Sequence, residues 1–244
     1  MRIHRFFTSQ ELRTDLQITL EEDPAHHIQQ VLRLRSGDEV VLFNTNGDEY
    51  AATLIQVTKQ QVVAGIGNAL RHEAESRLRI HLLLGLSRSE RMDFAIQKAT
   101  ELGVGQITPI LTERCVVKLN EKKSTSRLKH WRRIVINACE QSGRCRVPMI
   151  DKALDYAEAV DHVEAGTSIL LDHRSQTTLH QIEPPQTNLC ILIGPEGGLT
   201  STEREFAMQR GFVGVRLGPR IMRTETAPLA SIAAVQTLWG DFSN

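Results

Sequence analysis

The chain has 244 residues, 41% of them hydrophobic, and its 29 Lys and Arg balance 29 Asp and Glu. That apolar content is enough to bury one large core or two of ordinary size, as in a globular protein. No run reaches the roughly 18 apolar residues of a membrane span, and the opening Met-Arg-Ile-His-Arg-Phe-Phe lacks the apolar centre of a signal peptide, so a cytoplasmic protein is expected.

In chain order, residues 2–7, 17–20, 39–43, 49–57 and 61–66 are β-rich runs that read as short strands, and Asn46-Gly47 is a hairpin signal between two of them. Residues 24–34 read as a helix with Asp23 as N-cap and Pro24 in the first helical position. Five short strands and one helix predict a small barrel. The charged stretch 71–79 reads as a linker, which places one domain at 1–72 and a second at 73–244. From residue 78 the periodicity changes. Residues 78–86 are almost continuously apolar, as in a strand buried on both faces. A helix follows from about Ser89, with Met92, Ala95, Ile96, Ala99 and Leu102 on one stripe and Gly103 closing it. Next come a strand at 106–110, an amphipathic helix at 127–141 with Leu128, Trp131, Ile134, Val135 and Ala138 inward, a short helix at 156–162 and a strand at 168–172. After the strand at 189–193, a helix at 200–210 opens on a Thr200/Glu203 capping box. A strand-like run at 212–217 precedes the last helix, from about Ala227 to Trp239. Strands alternating with helices predict an α/β fold with a parallel sheet and right-handed crossovers.

The neutral total conceals an uneven distribution. Residues 1–70 hold 6 basic and 9 acidic side chains, 71–150 hold 16 and 8, and 151–244 hold 7 and 12. Within the middle, 114–133 carries eight Lys or Arg against one acid, which suits either a phosphate backbone or a solvated helix face. Cys115, Cys139, Cys145 and Cys190 form no C-x-x-C pair, so neither a zinc ribbon nor a disulfide framework is signalled, and no metal is called for.

Two stretches carry the chemistry. The apolar strand at 189–193 stops at Gly194-Pro195, a pair that cannot continue a ladder, and delivers the loop Gly194-Pro195-Glu196-Gly197-Gly198. Leu217-Gly218-Pro219 repeats the device before Arg220, Arg223, Thr224, Glu225 and Thr226. Two such loops at like ends of neighbouring parallel strands would form one ligand crevice. There is no P-loop motif and no G-x-G-x-x-G after the first strand of an α/β unit. The glycines bring main chain close to a ligand without a lysine to meet a triphosphate, so a nucleoside-like ligand without phosphates fits better.

Residues 193–199 with 217–227, Gln97-Lys98 before Glu101-Leu102-Gly103-Val104, and Cys139-Glu140-Gln141 with Gly143-Arg144 resemble the bacterial ribosomal RNA methyltransferases that modify N3 of a uridine in 16S rRNA. These belong to the SPOUT methyltransferases, and the resemblance covers nearly the whole chain. It implies a PUA-like N-terminal barrel that binds RNA, a knotted α/β SPOUT domain, and S-adenosylmethionine as methyl donor. It also implies a homodimer, and 16S rRNA of the small subunit as partner, with uridine 1498 the expected nucleotide. Periodicity shows none of this, and a trefoil knot runs against the usual topological rules. On the resemblance, the cofactor set is Leu192, Ile193, Gly194, Pro195, Glu196, Gly197, Gly198, Leu217, Gly218, Pro219, Ile221, Met222, Thr226 and Ala227. Pro228 departs from the family's pattern, at an early helical position where proline loses little. Arg2, Arg5, Arg33, Lys122, Lys123 and Arg127 are the RNA-binding candidates.

Methylation of uracil N3 requires its imide proton to leave. Arg223 is the candidate for stabilising the developing anion, and Glu225 or Glu196 for handling the proton or orienting groups. Glu225 could instead cap the last helix and Glu196 fasten the glycine loop. Glu101, Glu140 and Arg144 could form a second polar cluster or a structural ion pair. Two readings compete with N3 methylation: a methyltransferase acting on another base or a ribose 2′-hydroxyl, and a non-catalytic RNA-binding module.

Overall fold

A computed structural model describes residues 3–70, 75–116, 121–164 and 166–242. It divides into two compact units, one made of residues 1–75 with 139–147, the other of 76–138 with 148–244. Arg2, part of the 71–79 stretch and Lys118 of the basic run fall outside the described residues.

The first unit is a five-stranded sheet. Strands β1 (His4–Phe7), β2 (Gln17–Thr19), β3 (Glu39–Phe43), β4 (Glu49–Val57) and β5 (Val62–Leu70) lie in the order β1-β3-β4-β5-β2. β1 runs parallel to β3, and the other pairs are antiparallel. The Asn46-Gly47 turn joins β3 to β4, with the Gly47 N–H donating to the Asn44 carbonyl at 3.4 Å. Alternation along the strands turns Val40, Leu42, Ala52, Leu54, Val62, Ala64 and Ile66 into one core with Phe6 and Ile28.

The N-terminal helix begins earlier than its sequence suggests and does not stay α-helical. α1 is Glu22–His26 with Glu21 at the N-cap, and it passes into a π-helical turn, His27–Leu32, ended by Arg33 at φ 53°. Glu21 makes no cap hydrogen bond because Ser9 N–H, at 2.8 Å, and the Thr8 and Ser9 hydroxyls claim its carboxylate. Pro24 still falls in the first turn, where a missing N–H costs nothing.

Charged groups inside this unit are paired. Arg5 bonds Glu49, donates to the Arg144 carbonyl at 3.2 Å and lies 5.1 Å from the Phe43 ring centre. Arg144 pairs with Glu75 at 2.8 Å, and Glu140 accepts from the Phe7 N–H at 3.1 Å. Glu140 and Arg144 therefore serve local structure through separate partners. Burial pushes the Glu140 carboxyl up to about 7, against the pull of the Phe7 N–H and of Arg5. Burial also pushes the Cys139 thiol up to about 12. All four cysteines are unpaired thiols.

The second unit is a parallel sheet with helices. Its strands are β6 (Arg79–Gly85), β7 (Gln106–Leu111), β8 (Met149–Ile150), β9 (Leu154–Asp155), β10 (Thr167–Leu171), β11 (Asn188–Ile193) and β12 (Val213–Val215). The order is β12-β10-β11-β6-β7-β8, with β9 also on β7, and every ladder is parallel. Residues 80, 82, 83 and 84 of β6 and 189–193 of β11 are almost wholly buried, as expected of central strands covered on both faces. The helices are α2 (Ser89–Glu101), α3 (Glu121–Ser142), α4 (Tyr156–Asp161), α5 (Ser201–Gln209) and α6 (Thr226–Trp239). α5 has the capping box read from the sequence, and Glu203 also accepts from the Glu113 N–H at 2.8 Å, a long-range tie. β8 and β9 have two residues each, too few to show a period.

Candidate active site

One correction concerns the crevice itself. The glycine loops follow β11 and β12, which are not neighbours, because β10 lies between them and pairs with both. The cleft, of about 560 Å³, is accordingly built from three strand ends, with Leu170 and Leu171 from β10 and Asp172, His173 and Arg174 from the turn that follows it. The usual ligand position in such a sheet is the switch point, here between β6 and β11. That place is filled, because Gly85 at the end of β6 abuts the Gly194-Pro195 main chain. A Cβ on residue 85 would stand 2.3 Å from the Pro195 nitrogen. The opening is displaced toward β10.

Of the residues singled out, Ile193, Gly194, Pro195, Glu196, Gly197, Gly198, Leu217, Gly218, Ile221, Met222, Arg223 and Ala227 line this cleft. Leu192, Pro219, Glu225 and Thr226 are not among its lining. Leu192 is wholly buried inside the sheet. The first loop is a turn closed by the Gly198 N–H on the Pro195 carbonyl at 2.8 Å. A side chain at Gly197 would meet Arg114 Cβ at 2.9 Å, so this glycine is required by the packing of the 113–116 segment against the loop. Arg114 completes that contact by donating to the Gly197 carbonyl at 3.1 Å.

The two candidate carboxylates share one arginine. Arg91, in the first turn of α2, reaches Glu196 Oε1 at 3.3 Å and Glu225 Oε2 at 3.8 Å. Glu196 also accepts from the Arg88 N–H at 3.4 Å. Glu225 occupies the N-cap position of α6 without making a cap hydrogen bond, and its Oε2 is buried with no hydrogen-bond partner among the described residues. Arg91 thus ties the glycine loop to the start of α6. Arg223 is exposed, its carbonyl accepts from the Thr226 and Ala227 N–H groups at 2.9 and 3.0 Å, and its guanidinium has no partner among the described residues. Its backbone is held while its charge stays available.

Sequence reading did not place Arg91, Arg114, Asp172, Arg174, Arg204 or Arg216 in the cleft; all but Arg216, which directly precedes Leu217-Gly218-Pro219, enter it from segments without glycine signals. Asp172 is only 9% exposed and is held by Arg204 at 3.5 Å. An acid directly after an apolar strand was the available sequence signal. The RNA-binding candidates diverge. Arg33, Lys122 and Lys123 are exposed and Arg127 is half-buried, whereas the Arg5 side chain is committed within its own unit. Glu101 pairs with Lys98 at 2.7 Å. Among the described residues no cluster of His, Cys, Asp or Glu is arranged to hold a metal, and no helix is long and apolar enough to cross a membrane.

A parallel sheet whose strand ends carry a nucleoside-sized cleft, in a chain that also has a small β unit, is the architecture of a two-domain RNA methyltransferase. The RNA methyltransferase domain family matches residues 74–236, and the RNA methyltransferase PUA domain matches 20–67. The chain is similar to ribosomal RNA small subunit methyltransferase E of Buchnera aphidicola, 33% identical over 245 residues and covering 99% of both chains. Among solved structures it is similar to the same enzyme from Neisseria gonorrhoeae bound to S-adenosyl methionine, at 39% identity and TM-score 0.94. A Legionella pneumophila methyltransferase in complex with the cofactor SAM matches at 33% identity and TM-score 0.96, and each alignment covers 99% of this chain and 100% of the other. The chain belongs to the ribosomal RNA small subunit methyltransferase E family.

Proposed function

We propose that this protein transfers the methyl group of S-adenosylmethionine to N3 of a uridine in 16S rRNA, uridine 1498 being the nucleotide expected. Residues 1–72 would serve as the RNA-binding domain and 73–244 as the methyltransferase domain, in the cytoplasm. The observation that carries this reading is the cleft itself. It pairs main-chain edges at 193–198 and 217–222 with the apolar Leu170, Ile193 and Leu199, as a purine nucleoside requires. Its described lining includes no lysine, in keeping with a ligand lacking a triphosphate. Asp172 is placed to receive hydroxyl or ammonium donors. The residues present therefore fit S-adenosylmethionine, which supplies an electrophilic methyl group when bound.

The protein's own part is to make N3 nucleophilic and keep it aligned. The neutral imide nitrogen has no free lone pair, so its proton must leave and negative charge spreads to O2 and O4. Arg223 suits that anion, because a planar, permanently charged guanidinium matches delocalised charge better than an ammonium does. Glu196 lines the cleft and is the carboxylate placed for proton handling. Glu225 acts behind the wall through Arg91, as a positioning residue. We further propose a trefoil knot and a homodimer. The dimer is favoured by large apolar side chains left exposed on and near α2 and α6: Phe94, Leu238 and Phe242.

Nucleoside mass analysis of small-subunit rRNA treated with the protein and S-adenosylmethionine tests the reaction. N3-methyluridine at one position is the expected product. A 2′-O-methyl nucleoside or another methylated base would replace this reading by its nearer alternative, and no methyl transfer at all would favour a binding module.

A further inference from the structure

The cleft holds more positive charge than a cofactor needs. Seven arginines line it against two carboxylates, Asp172 and Glu196. Both acids are already engaged, Asp172 by Arg204 at 3.5 Å and Glu196 by Arg91 at 3.3 Å. Arg174, Arg216 and Arg220 have no acidic partner among the described residues; Arg174 and Arg220 are exposed and Arg216 is half-buried. The backbones of Arg174 and Arg216 are fixed. The Arg174 N–H bonds Asp172 Oδ1 at 3.0 Å, and the Arg216 N–H bonds the Thr177 carbonyl at 2.8 Å, which joins the turn after β10 to the segment after β12.

Charge counting separates two ligands. S-adenosylmethionine has a sulfonium and an ammonium against one carboxylate, a net charge of about +1, while its demethylated product is zwitterionic, with net charge near zero; unit charges of like sign repel. An uncompensated arginine rim therefore disfavours the cofactor, leaves the product nearly unaffected and attracts a polyanion. We propose that Arg174, Arg216 and Arg220 form a phosphate-binding rim that grips the RNA backbone beside the target nucleotide. By cancelling the surplus charge, RNA bound there strengthens S-adenosylmethionine binding, and by reciprocity the cofactor strengthens RNA binding. This rests on the methyltransferase reading given above.

The size of the effect follows from the cleft's volume, whose cube root is roughly 8 Å. One unit charge acting in water over about that distance changes a cation's affinity about two- to threefold at low ionic strength. The test is calorimetric titration of S-adenosylmethionine and of its demethylated product into the full-length protein, at low and high salt. Wild type is compared with R174A/R220A, which alters only exposed side chains, with R174A/R216A/R220A and with the corresponding triple lysine variant. Removing two charges should tighten S-adenosylmethionine binding about fivefold at low salt, and removing three about tenfold. Product affinity should stay within about twofold, high salt should erase the difference, and the lysine variant should behave as wild type. Both alanine variants should bind a short oligouridylate more weakly, with a salt dependence flattened by about 0.7 log units per lost contact. Adding that oligouridylate to wild type should tighten S-adenosylmethionine binding more than product binding. Equal changes for cofactor and product, or an unmoved RNA salt slope in the double variant, would overturn the rim. Failure of wild type to bind either nucleoside would instead overturn the cofactor assignment, and the coupling with it.

Discussion

Gly85→Ala isolates the packing that displaces the cleft from the switch point. A Cβ there would lie 2.3 Å from the Pro195 nitrogen and 2.6 Å from both the Gly194 carbonyl carbon and Pro195 Cδ, where ordinary contact begins at 3.4 Å. The obstacle is main chain and a proline ring, neither of which can rotate aside, so the loop must retreat by about 1.1 Å, the difference between 3.4 and 2.3 Å. Overpacking of this kind costs about 1–3 kcal/mol, and a backbone obstacle places this case near the upper end. A melting temperature lower by roughly 6–12 °C follows for a unit of this size. The displaced segment also carries the cleft lining from Ile193 to Gly198, and a misplacement of about 1 Å is enough to cost about 100-fold in a positioned reaction. Thermal melting and calorimetric titration with S-adenosylmethionine measure the two effects. A variant that melts like wild type and binds the cofactor unchanged would refute the close approach and the reasoning built on it.

Arg223→Ala and Arg223→Lys should lower kcat by about 100-fold, the scale of losing one well-placed electrostatic donor, while S-adenosylmethionine affinity is unchanged in Arg223→Lys and rises by no more than about two- to threefold at low salt in Arg223→Ala, the effect of one lost cleft charge. A rise in KM for RNA at constant kcat would reassign Arg223 to phosphate anchoring. Glu140 provides a pH test within the first unit. Its folded pKa, raised to about 7, exceeds its unfolded value, so the folded state holds the proton more tightly and stability falls as pH rises from about 4.5 to 7. Denaturant unfolding at pH 5 and pH 8 should show that Glu140→Gln, which keeps an acceptor for the Phe7 N–H, flattens this decline. A pH dependence identical to wild type would exclude Glu140 as its source. Replacing Lys122, Lys123 and Arg127 with Ala should weaken RNA binding similarly across sequences and flatten its salt dependence by about 0.7 log units per lost single-strand contact. An unchanged slope would make that stretch a solvated helix face.

Local signals in the sequence determined the kinds of element. The apolar runs at 78–86 and 189–193 became β6 and β11, the stripe from Met92 to Ala99 became the buried side of α2, and Thr200 with Glu203 formed the capping box of α5, because each depends on neighbours a few residues away. The same holds for the glycine loops, where strand-ending pairs mark turns whatever surrounds them. Arg5 shows the opposite case: a basic residue on a short strand reads as surface charge, and only the approach of Glu49 and Phe43 from other strands turns it inward. Glu21 is a similar case: it sits at the N-cap of α1, but Thr8 and Ser9, distant in sequence, hold its carboxylate away from capping. At the candidate site, tertiary structure decided that β10 lies between the two loop-bearing strands, that Arg91 is shared by Glu196 and Glu225, and that Asp172 and a rim of arginines enter the cleft. Strand order and ion pairing join residues tens of positions apart, and parallel strands must be connected through crossovers, so no local period records which strand comes to rest beside which.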